Sequence, residues 1–147
     1  MFKNKGQLSI EVLIILIFLI TFIYVYNNLG EQTVYTLEVN KIKEQEQGIA
    51  ISLNEFLESQ KSILYDSSII DYNSTYRLSN ISIPSKKVVC YVDINLDISQ
   101  MLVISDYSNI NTVYNSTISN TEFILPHRIN CGQEIICDLN TGKIECN

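Results

Sequence analysis

The chain has 147 residues, is 46% hydrophobic and carries a formal net charge of −6, which leaves room for one modest domain and an anchor. This acidity argues against nucleic acid as a partner. One histidine and four cysteines without a C-x-x-C motif provide neither a zinc ligand set nor a Cys/His catalytic pair. We therefore expect no metal, no cofactor and no enzymatic activity, and we expect disulfides outside the cytoplasm.

A nearly unbroken apolar run lies close to the N-terminus. Residues 8–26 read LSIEVLIILIFLITFIYVY, and a helix of that length is about 29 Å long, close to the hydrocarbon thickness of a bilayer. Lys3 and Lys5 precede the run, and no A-x-A-like cleavage site follows it. The pattern predicts a retained membrane-spanning helix, with the N-terminus in the cytoplasm and residues 30–147 outside.

Glu11 interrupts the start of this run. A charged side chain well inside a membrane helix costs about 2.5–3.5 kcal/mol on insertion scales. One explanation is that Glu11 sits at the lipid interface, where the helix dipole tolerates an acid near the first turn. The other explanation is that Glu11 finds a partner in another subunit.

The segment KGQLSIE at residues 5–11 resembles the class III signal peptide of archaeal type IV pilins, whose pattern is Q-x-S-x-E-x-x-x-L. Gln7, Ser9 and Glu11 match that pattern, and Ile15 replaces its leucine. The resemblance covers residues 1–26. The archaellins, which also use class III leaders, look less similar.

The resemblance implies that a prepilin peptidase cuts between Gly6 and Gln7 and leaves the apolar helix attached. Cleavage would remove Lys3 and Lys5 and expose a new amine at Gln7. In pilins the acid at the fifth mature position, here Glu11, assists docking to the N-terminus of a neighbouring subunit. We hypothesise that the amine of Gln7 stays free, because cyclisation to a lactam would remove the cation that pairs with Glu11. The residues assigned to assembly are Gln7, Ser9, Glu11 and Ile15.

Beyond Gly30, apolar residues at spacings of three, four or seven predict an amphipathic helix. Asn27 to Gly30 could cap a first helix, since a helix-interior glycine costs about 1 kcal/mol relative to alanine. We favour one long helix, bent or loosened near Gly30 and packed under the C-terminal domain. Its apolar stripe is Tyr35, Val39, Ile42, Ile49, Leu53, Phe56 and Ile63. The face expected to be solvated holds Lys41, Lys43, Glu44, Gln45, Glu46 and Gln47.

The remaining chain predicts a small, mainly antiparallel β domain. Residues 66–87 are interpreted as a surface connecting region with short extended pieces, and 106–120 as an exposed polar loop. Residues 88–99 alternate as a half-buried strand, with one face formed by Val92, Ile94, Leu96 and Ile98. Further strands are expected at 101–105, 121–125 and 134–139. The fold class is therefore α+β, with a long N-terminal helix and a type IV pilin-like arrangement.

The four cysteines allow three pairings. If Thr141 and Gly142 form a two-residue hairpin loop, Cys137 falls opposite Cys146, where the Cα separation of a non-hydrogen-bonded antiparallel pair is about 4.5 Å and suits a disulfide. By elimination Cys90 then pairs with Cys131. A three-residue loop would shift this register and favour other pairings.

Three N-x-[ST] sequons, at Asn73, Asn80 and Asn115, fall in segments expected to be loops or strand ends outside the membrane, so N-glycosylation is predicted there. His127, after Pro126, is interpreted as a turn residue rather than a base or metal ligand.

These features predict a structural subunit of an archaeal type IV pilus-like surface filament, processed by a prepilin peptidase, polymerised through its N-terminal helix and serving surface adhesion. Its expected partners are copies of itself or other pilins, the peptidase, and the membrane during biogenesis. The expected divisions are a leader at 1–6, an apolar helix at 7–29, an amphipathic helix at 30–64 and an extracellular β domain at 65–147. The alternative is a single-span anchored protein whose outer domain binds a ligand or partner without polymerising.

Overall fold

The computed structural model describes residues 4–64, 73–84, 86–107, 110–118, 123–140 and 143–147, with side chains except at 4–9, 63–64 and 139–140. It divides into two compact units, Met1–Glu38 and Val39–Asn147.

Helix α1 runs without a break from Asn4 to Leu64. The expectation of one long helix is therefore confirmed, and Gly30 lies within it. Three threonine hydroxyls in the first unit donate to backbone carbonyls one turn earlier, those of Thr21, Thr33 and Thr36. These bonds satisfy polar side chains within the helix itself.

Eight strands follow the helix in the described part of the chain. They are β1 (Asn73–Arg77), β2 (Val89–Asn95), β3 (Gln100–Tyr107), β4 (Ile110–Thr117), β5 (Phe123–Ile124), β6 (Arg128–Asn130), β7 (Glu134–Asn140) and β8 (Lys143–Cys146). They form sheet 1, of order β1-β7-β8-β5, and sheet 2, of order β4-β3-β2-β6. Every described pairing is antiparallel except β5 with β8. The predicted α+β class with a long helix ahead of mainly antiparallel strands is confirmed, although the strands form two small sheets.

The core of the second unit lies between the helix and the inner faces of the two sheets. Burial alternates along β2, where Val92 and Ile94 face inward as predicted. The strand ends at Asn95, so Leu96 is only half-buried and Ile98 is 63% exposed at the turn. The largest wholly buried side chains of the core are Ile42, Leu53, Leu78, Met101, Ile118, Ile129 and Ile135.

Hydrogen bonds tie the second part of the helix to both sheets. Gln45 makes two bonds with the backbone of Ser82, donating to its carbonyl at 3.1 Å and accepting from its amide at 2.8 Å. On the side of sheet 1, the hydroxyl of Tyr76 donates to Ser52 at 2.7 Å. On the side of sheet 2, the amide of Asn54 donates to the carbonyl of Thr117 at 3.3 Å. Together with the apolar contacts between them, these bonds fix the rotation of this part of the helix about its axis and its position along the sheets.

The predicted faces of this helix need two corrections. Glu46 is wholly buried rather than solvated, since it lies four residues after Ile42 and three before Ile49 on the buried stripe. Tyr35 is 51% exposed and belongs to the first unit rather than to the core stripe. Ile63 lies outside the described side chains.

Two segments interpreted as surface connections also contribute to the core. Within 66–87, strand β1 pairs with β7, and Leu78, Ile81 and Ile83 are buried. Within 106–120, strand β4 pairs with β3 over eight residues. The loop assignment failed because short polar side chains fill most of β4, whereas its pairing depends on backbone hydrogen bonds that any residue except proline can make.

The disulfides join the pairs expected from the sequence. Cys137 lies directly opposite Cys146 and bonds to it with a Cα separation of 4.0 Å. Cys90 bonds to Cys131 with a Cα separation of 5.4 Å. The register Asn140↔Lys143 matches a two-residue hairpin loop, whose residues 141 and 142 lie outside the described part.

Candidate functional site: an uncovered apolar helix

The first unit presents an apolar segment, defined as residues 10–29 of α1, whose large apolar side chains are exposed among the residues that the structure describes. Exposed fractions of its large apolar side chains range from 47% at Ile14 to 72% at Phe18. The exposed side chains are those of Ile10, Val12–Ile20, Phe22–Tyr26 and Leu29. Because nine consecutive residues belong to this set, every side of the helix is apolar. A continuous apolar surface of this extent marks an interaction with lipid or protein.

The apolar segment also has the length and backbone chemistry of a membrane span. It contributes to a helix that is long and apolar enough to cross a bilayer. The hydroxyl of Thr21 donates to the carbonyl of Ile17 at 2.8 Å, which removes the need for a water partner.

Glu11 is the charged residue within this segment, and the structure places its side chain on the helix surface, exposed. Ile15, one turn later, is 59% exposed. Gly6, Gln7 and Ser9 lie on the same helix, which begins at Asn4, but their side chains are outside the described set. The backbone therefore carries all five predicted processing and assembly positions on one element.

The second unit contains a buried polar cluster that sequence reasoning missed. The hydroxyl of Thr112 donates to Oε1 of Glu46 at 2.6 Å. Ser105 lies opposite Thr112 in the β3–β4 register and is wholly buried. Oε2 of Glu46 and Oγ of Ser105 have no hydrogen-bond partner among the described residues. The signal for this cluster was available, because Glu46 has the spacing of the apolar stripe.

An ion pair stands on the outer face of sheet 2. The guanidinium of Arg128 donates to both carboxylate oxygens of Asp93, at 2.6 and 2.8 Å, and lies 4.1 Å from the ring centroid of Tyr91. The hydrogen bond with Asp93 raises the pKa of Arg128 above its usual value. The pair joins β6 to β2 and leaves both charges in contact with solvent, where solvent screening makes such pairs contribute little to stability.

His127 is exposed at a bend between Pro126 and β6, and its carbonyl accepts from the amide of Ile94 at 2.8 Å. Among the described residues, no three His, Cys, Asp or Glu side chains are grouped so as to hold a metal ion. The second unit also carries an open groove beside Gly48, between Lys41 to Ser52 of the helix and Asn80.

The three predicted glycosylation residues occupy different environments. Asn115 is exposed on strand β4. Asn73 is exposed at the first residue of β1, opposite Asp138. Asn80 is likewise exposed, in the connection after β1, but its amide packs against Gly132.

No protein-family model, curated protein or solved structure matches this chain.

Proposed function

We propose that this protein is a structural subunit of a surface filament of the archaeal type IV pilus kind, polymerised through its N-terminal helix. The observation that carries the proposal is the apolar segment, whose described large apolar side chains are exposed on every side of the helix. At about 25 cal/mol per Å² of apolar surface, leaving such a helix in water is strongly unfavourable. The segment therefore requires contact with lipid, with copies of itself, or with lipid first and copies of itself afterwards.

The order in which the two environments are used follows from the charges at the helix start. Before processing, Lys3 and Lys5 hold the N-terminus on the cytoplasmic side of the bilayer. Cleavage between Gly6 and Gln7, which the leader pattern implies, removes both lysines. The helix then leaves the bilayer without carrying those ammonium groups through the hydrocarbon layer.

Glu11 supports packing between subunits rather than residence in lipid. A carboxylate with lipid on all sides is costly, whereas a carboxylate beside the new amine of Gln7 in a neighbouring copy is compensated. Apolar side chains on every side of the helix allow it to contact several copies at once. These contacts would form the filament core.

The second unit would form the outer wall and the adhesive surface of the filament. Its two disulfides suit an environment outside the cytoplasm. One bond joins the hairpin strands β7 and β8 and the other joins β2 to the turn after β6, so the folded unit tolerates exposure on a cell surface.

The test is to compare the N-terminal peptide of the protein from sheared surface filaments with that from membranes. Trypsin cleaves after Lys5 and Lys41, so an unprocessed chain gives peptide 6–41 and a processed chain gives 7–41. We expect 7–41 in the filament fraction. Recovery only of 6–41, confined to membranes, would reject the proposal and favour a single-span anchored binding protein.

A variant pair strengthens this test. Gly6→Leu places a bulky residue at the expected cleavage site and should leave the full-length chain in the membrane. Gly30→Ala is the matched control, because a Cβ at Gly30 meets no atom within 4 Å, and it should be processed normally. Equal processing of the two variants would contradict the assignment of Gly6.

A further inference from the structure

The outer face of sheet 2 carries an apolar patch that the proposed function does not explain. The outer apolar patch consists of Val89, Tyr91, Leu102, Ile104 and Val113, which point away from the core. In the register, Tyr91 lies beside Ile104, and Ile104 beside Val113. Val89 is 55% exposed and Val113 is 53% exposed, whereas the other three are half-buried and the ring of Tyr91 lies against Arg128. The solvated face of an antiparallel sheet is normally polar, so this patch calls for a cover.

Strand β4 forms one edge of this sheet and lacks the usual protection against strand pairing. Its eight residues, INTVYNST, include no charge and no proline, and its register with β3 is unbroken. The other edge of sheet 2, β6, is three residues long and carries Arg128 after Pro126. In sheet 1, β5 has two residues and β1 ends at Arg77. Long uncharged edges invite pairing with another chain.

A sequon lies where this edge meets the patch. Asn115 and Thr117, two residues apart on β4, are both exposed and point to the outer face. Asn115 lies directly opposite Leu102 and two residues from Val113, which is about 7 Å along a strand. The amide that receives a glycan and the hydroxyl that completes the sequon are therefore both accessible.

We propose that Asn115 carries an N-linked glycan that covers the outer apolar patch and protects the β4 edge. In the reaction, Nδ2 of Asn115 forms a bond to the anomeric carbon of a lipid-phosphate-linked oligosaccharide. The bond from that carbon to the phosphate oxygen breaks, the lipid phosphate leaves, and the amide loses one proton. The apolar faces of the attached sugars then lie over the patch, and their bulk prevents another strand from approaching β4.

The sequon at Asn80 does not have this geometry. Its amide oxygen and nitrogen lie 2.6 and 2.8 Å from the position that a Cβ on Gly132 would occupy. Both backbone groups of Ser82, the third sequon residue, are bonded to Gln45. Ile81 between them is buried. A glycan there would disturb packed contacts and would cover no exposed apolar row.

The sequon at Asn73 lies in a polar setting. Asn73 pairs with Asp138, which pairs with Glu145 in the next strand. Ser74, the middle residue of this sequon, donates to Gln60 of the helix at 2.6 Å. A glycan at Asn73 would face carboxylates instead of apolar side chains, so the protective role applies to Asn115.

The proposal shares with the proposed function only the placement of the second unit outside the cytoplasm. Polymerisation is not required. Glycosylation can therefore be measured on the membrane-bound precursor and on filaments independently, and a failure of one proposal is distinguishable from a failure of the other.

The first measurement is the mass of each sequon peptide from the full chain, isolated from its producing cells and reduced. Trypsin places each sequon in its own peptide, with Asn73 in 62–77, Asn80 in 78–86 and Asn115 in 88–128. We expect peptide 88–128 to be heavier than its sequence by a glycan mass and 78–86 to match its sequence. An unmodified 88–128 would overturn the proposal.

The second measurement tests protection with matched variants. Thr117→Val removes the sequon and keeps a β-branched side chain, whereas Thr117→Ser keeps the sequon. We expect Thr117→Val to lose the mass shift of 88–128 and to associate laterally in light scattering, while Thr117→Ser behaves as wild type. Adding Val113→Lys to Thr117→Val introduces a charge at the edge and should restore the dispersed state.

The outcomes separate the roles of the glycan. Loss of the glycan in Thr117→Val without any association would refute protection of the edge. Association that Val113→Lys does not reverse would place the contact elsewhere on the molecule and would also contradict the proposal. Self-association of wild type through β4, with peptide 88–128 unmodified, would identify a second copy as the occupant of this edge instead of a glycan.

Discussion

Two glycines of the second unit have opposite steric surroundings. Gly132 has a φ of +83°, and a Cβ there would meet the amide oxygen of Asn80 at 2.6 Å. Gly48 lies within α1, and a Cβ there meets no atom within 4 Å. Gly132 is required because its left-handed backbone conformation strains any residue with a Cβ, whereas the position of Gly48 tolerates a side chain.

We predict that Gly132→Ala lowers the free energy of unfolding by about 1–3 kcal/mol, because a left-handed backbone is strained with a side chain. Gly48→Ala should raise it by about 1 kcal/mol, because alanine is the better helix former. Denaturant unfolding of the full chain in detergent measures both. Destabilisation by Gly48→Ala would mean that a neighbouring molecule occupies the space beside the helix.

Glu46 shows what sequence can establish about a single residue. Its spacing from Ile42, Ile49 and Leu53 placed it on the apolar stripe, but its charge favoured the solvated face. The charge was misleading, because the carboxylate is buried and accepts a hydrogen bond from the hydroxyl of Thr112, on a strand sixty-six residues later in the chain. A contact of that sequence separation depends on tertiary packing, which local pattern does not contain.

At the scale of elements, the buried Glu46 connects α1 to the inner face of sheet 2. We predict that Glu46→Gln has little effect on the free energy of unfolding, because its amide oxygen still accepts from the Thr112 hydroxyl. Glu46→Ala should lower the free energy of unfolding by about 1–3 kcal/mol, because it leaves the Thr112 hydroxyl without its acceptor. Equal losses in the two variants, measured by denaturant unfolding, would contradict this account.

The two disulfides make a second prediction at this scale. Cys90–Cys131 closes a sequence separation of 41, and Cys137–Cys146 closes one of 9. Because a longer loop loses more entropy on closure in the unfolded chain, paired Cys→Ala replacement at 90 and 131 should cost about 1.3 kcal/mol more than at 137 and 146. Unfolding midpoints of the two double variants give the comparison. The opposite order would show that local packing of the 137–146 hairpin dominates.

The elements differ in how far sequence predicts them. The helix and β2 were identified because periodic apolar residues record which side is buried. The 137–146 hairpin was identified because its loop length sets the register. Strand β4 was missed because neither of its faces is clearly apolar. The outer face combines Val113 with Asn111 and Asn115, and the inner face combines Tyr114 with Ser116. The place of β4 at the edge of sheet 2 depends on pairing with β3, which a polar pattern does not reveal.

At the scale of the whole molecule, the chain combines a disulfide-linked α+β unit with an apolar helical segment whose side chains are exposed among the described residues. The α+β class followed from the order of the patterns, a long helical period before alternating strands. The sequence pattern did not predict the division into two sheets, because non-local contacts determine which strands become neighbours. The assembly role remains a proposal supported by Glu11, the leader pattern and the exposure of residues 10–29.

The substitution Glu11→Gln tests that role most directly. If Glu11 pairs with the amine of Gln7 in a neighbouring copy, removing its charge should leave cleavage after Gly6 unchanged and reduce the yield of sheared filaments at least tenfold. If Glu11 sits at a lipid interface, the neutral variant should insert and assemble as wild type, or better, because its desolvation is less costly.

Glu31→Gln, farther along the same helix and outside the apolar segment, is the control for loss of a carboxylate. Peptide 7–41 from membranes reports cleavage, and the amount of protein in the filament fraction reports assembly. Normal filaments from Glu11→Gln would remove the ion pair from the mechanism, and helix packing alone would then have to hold the subunits together.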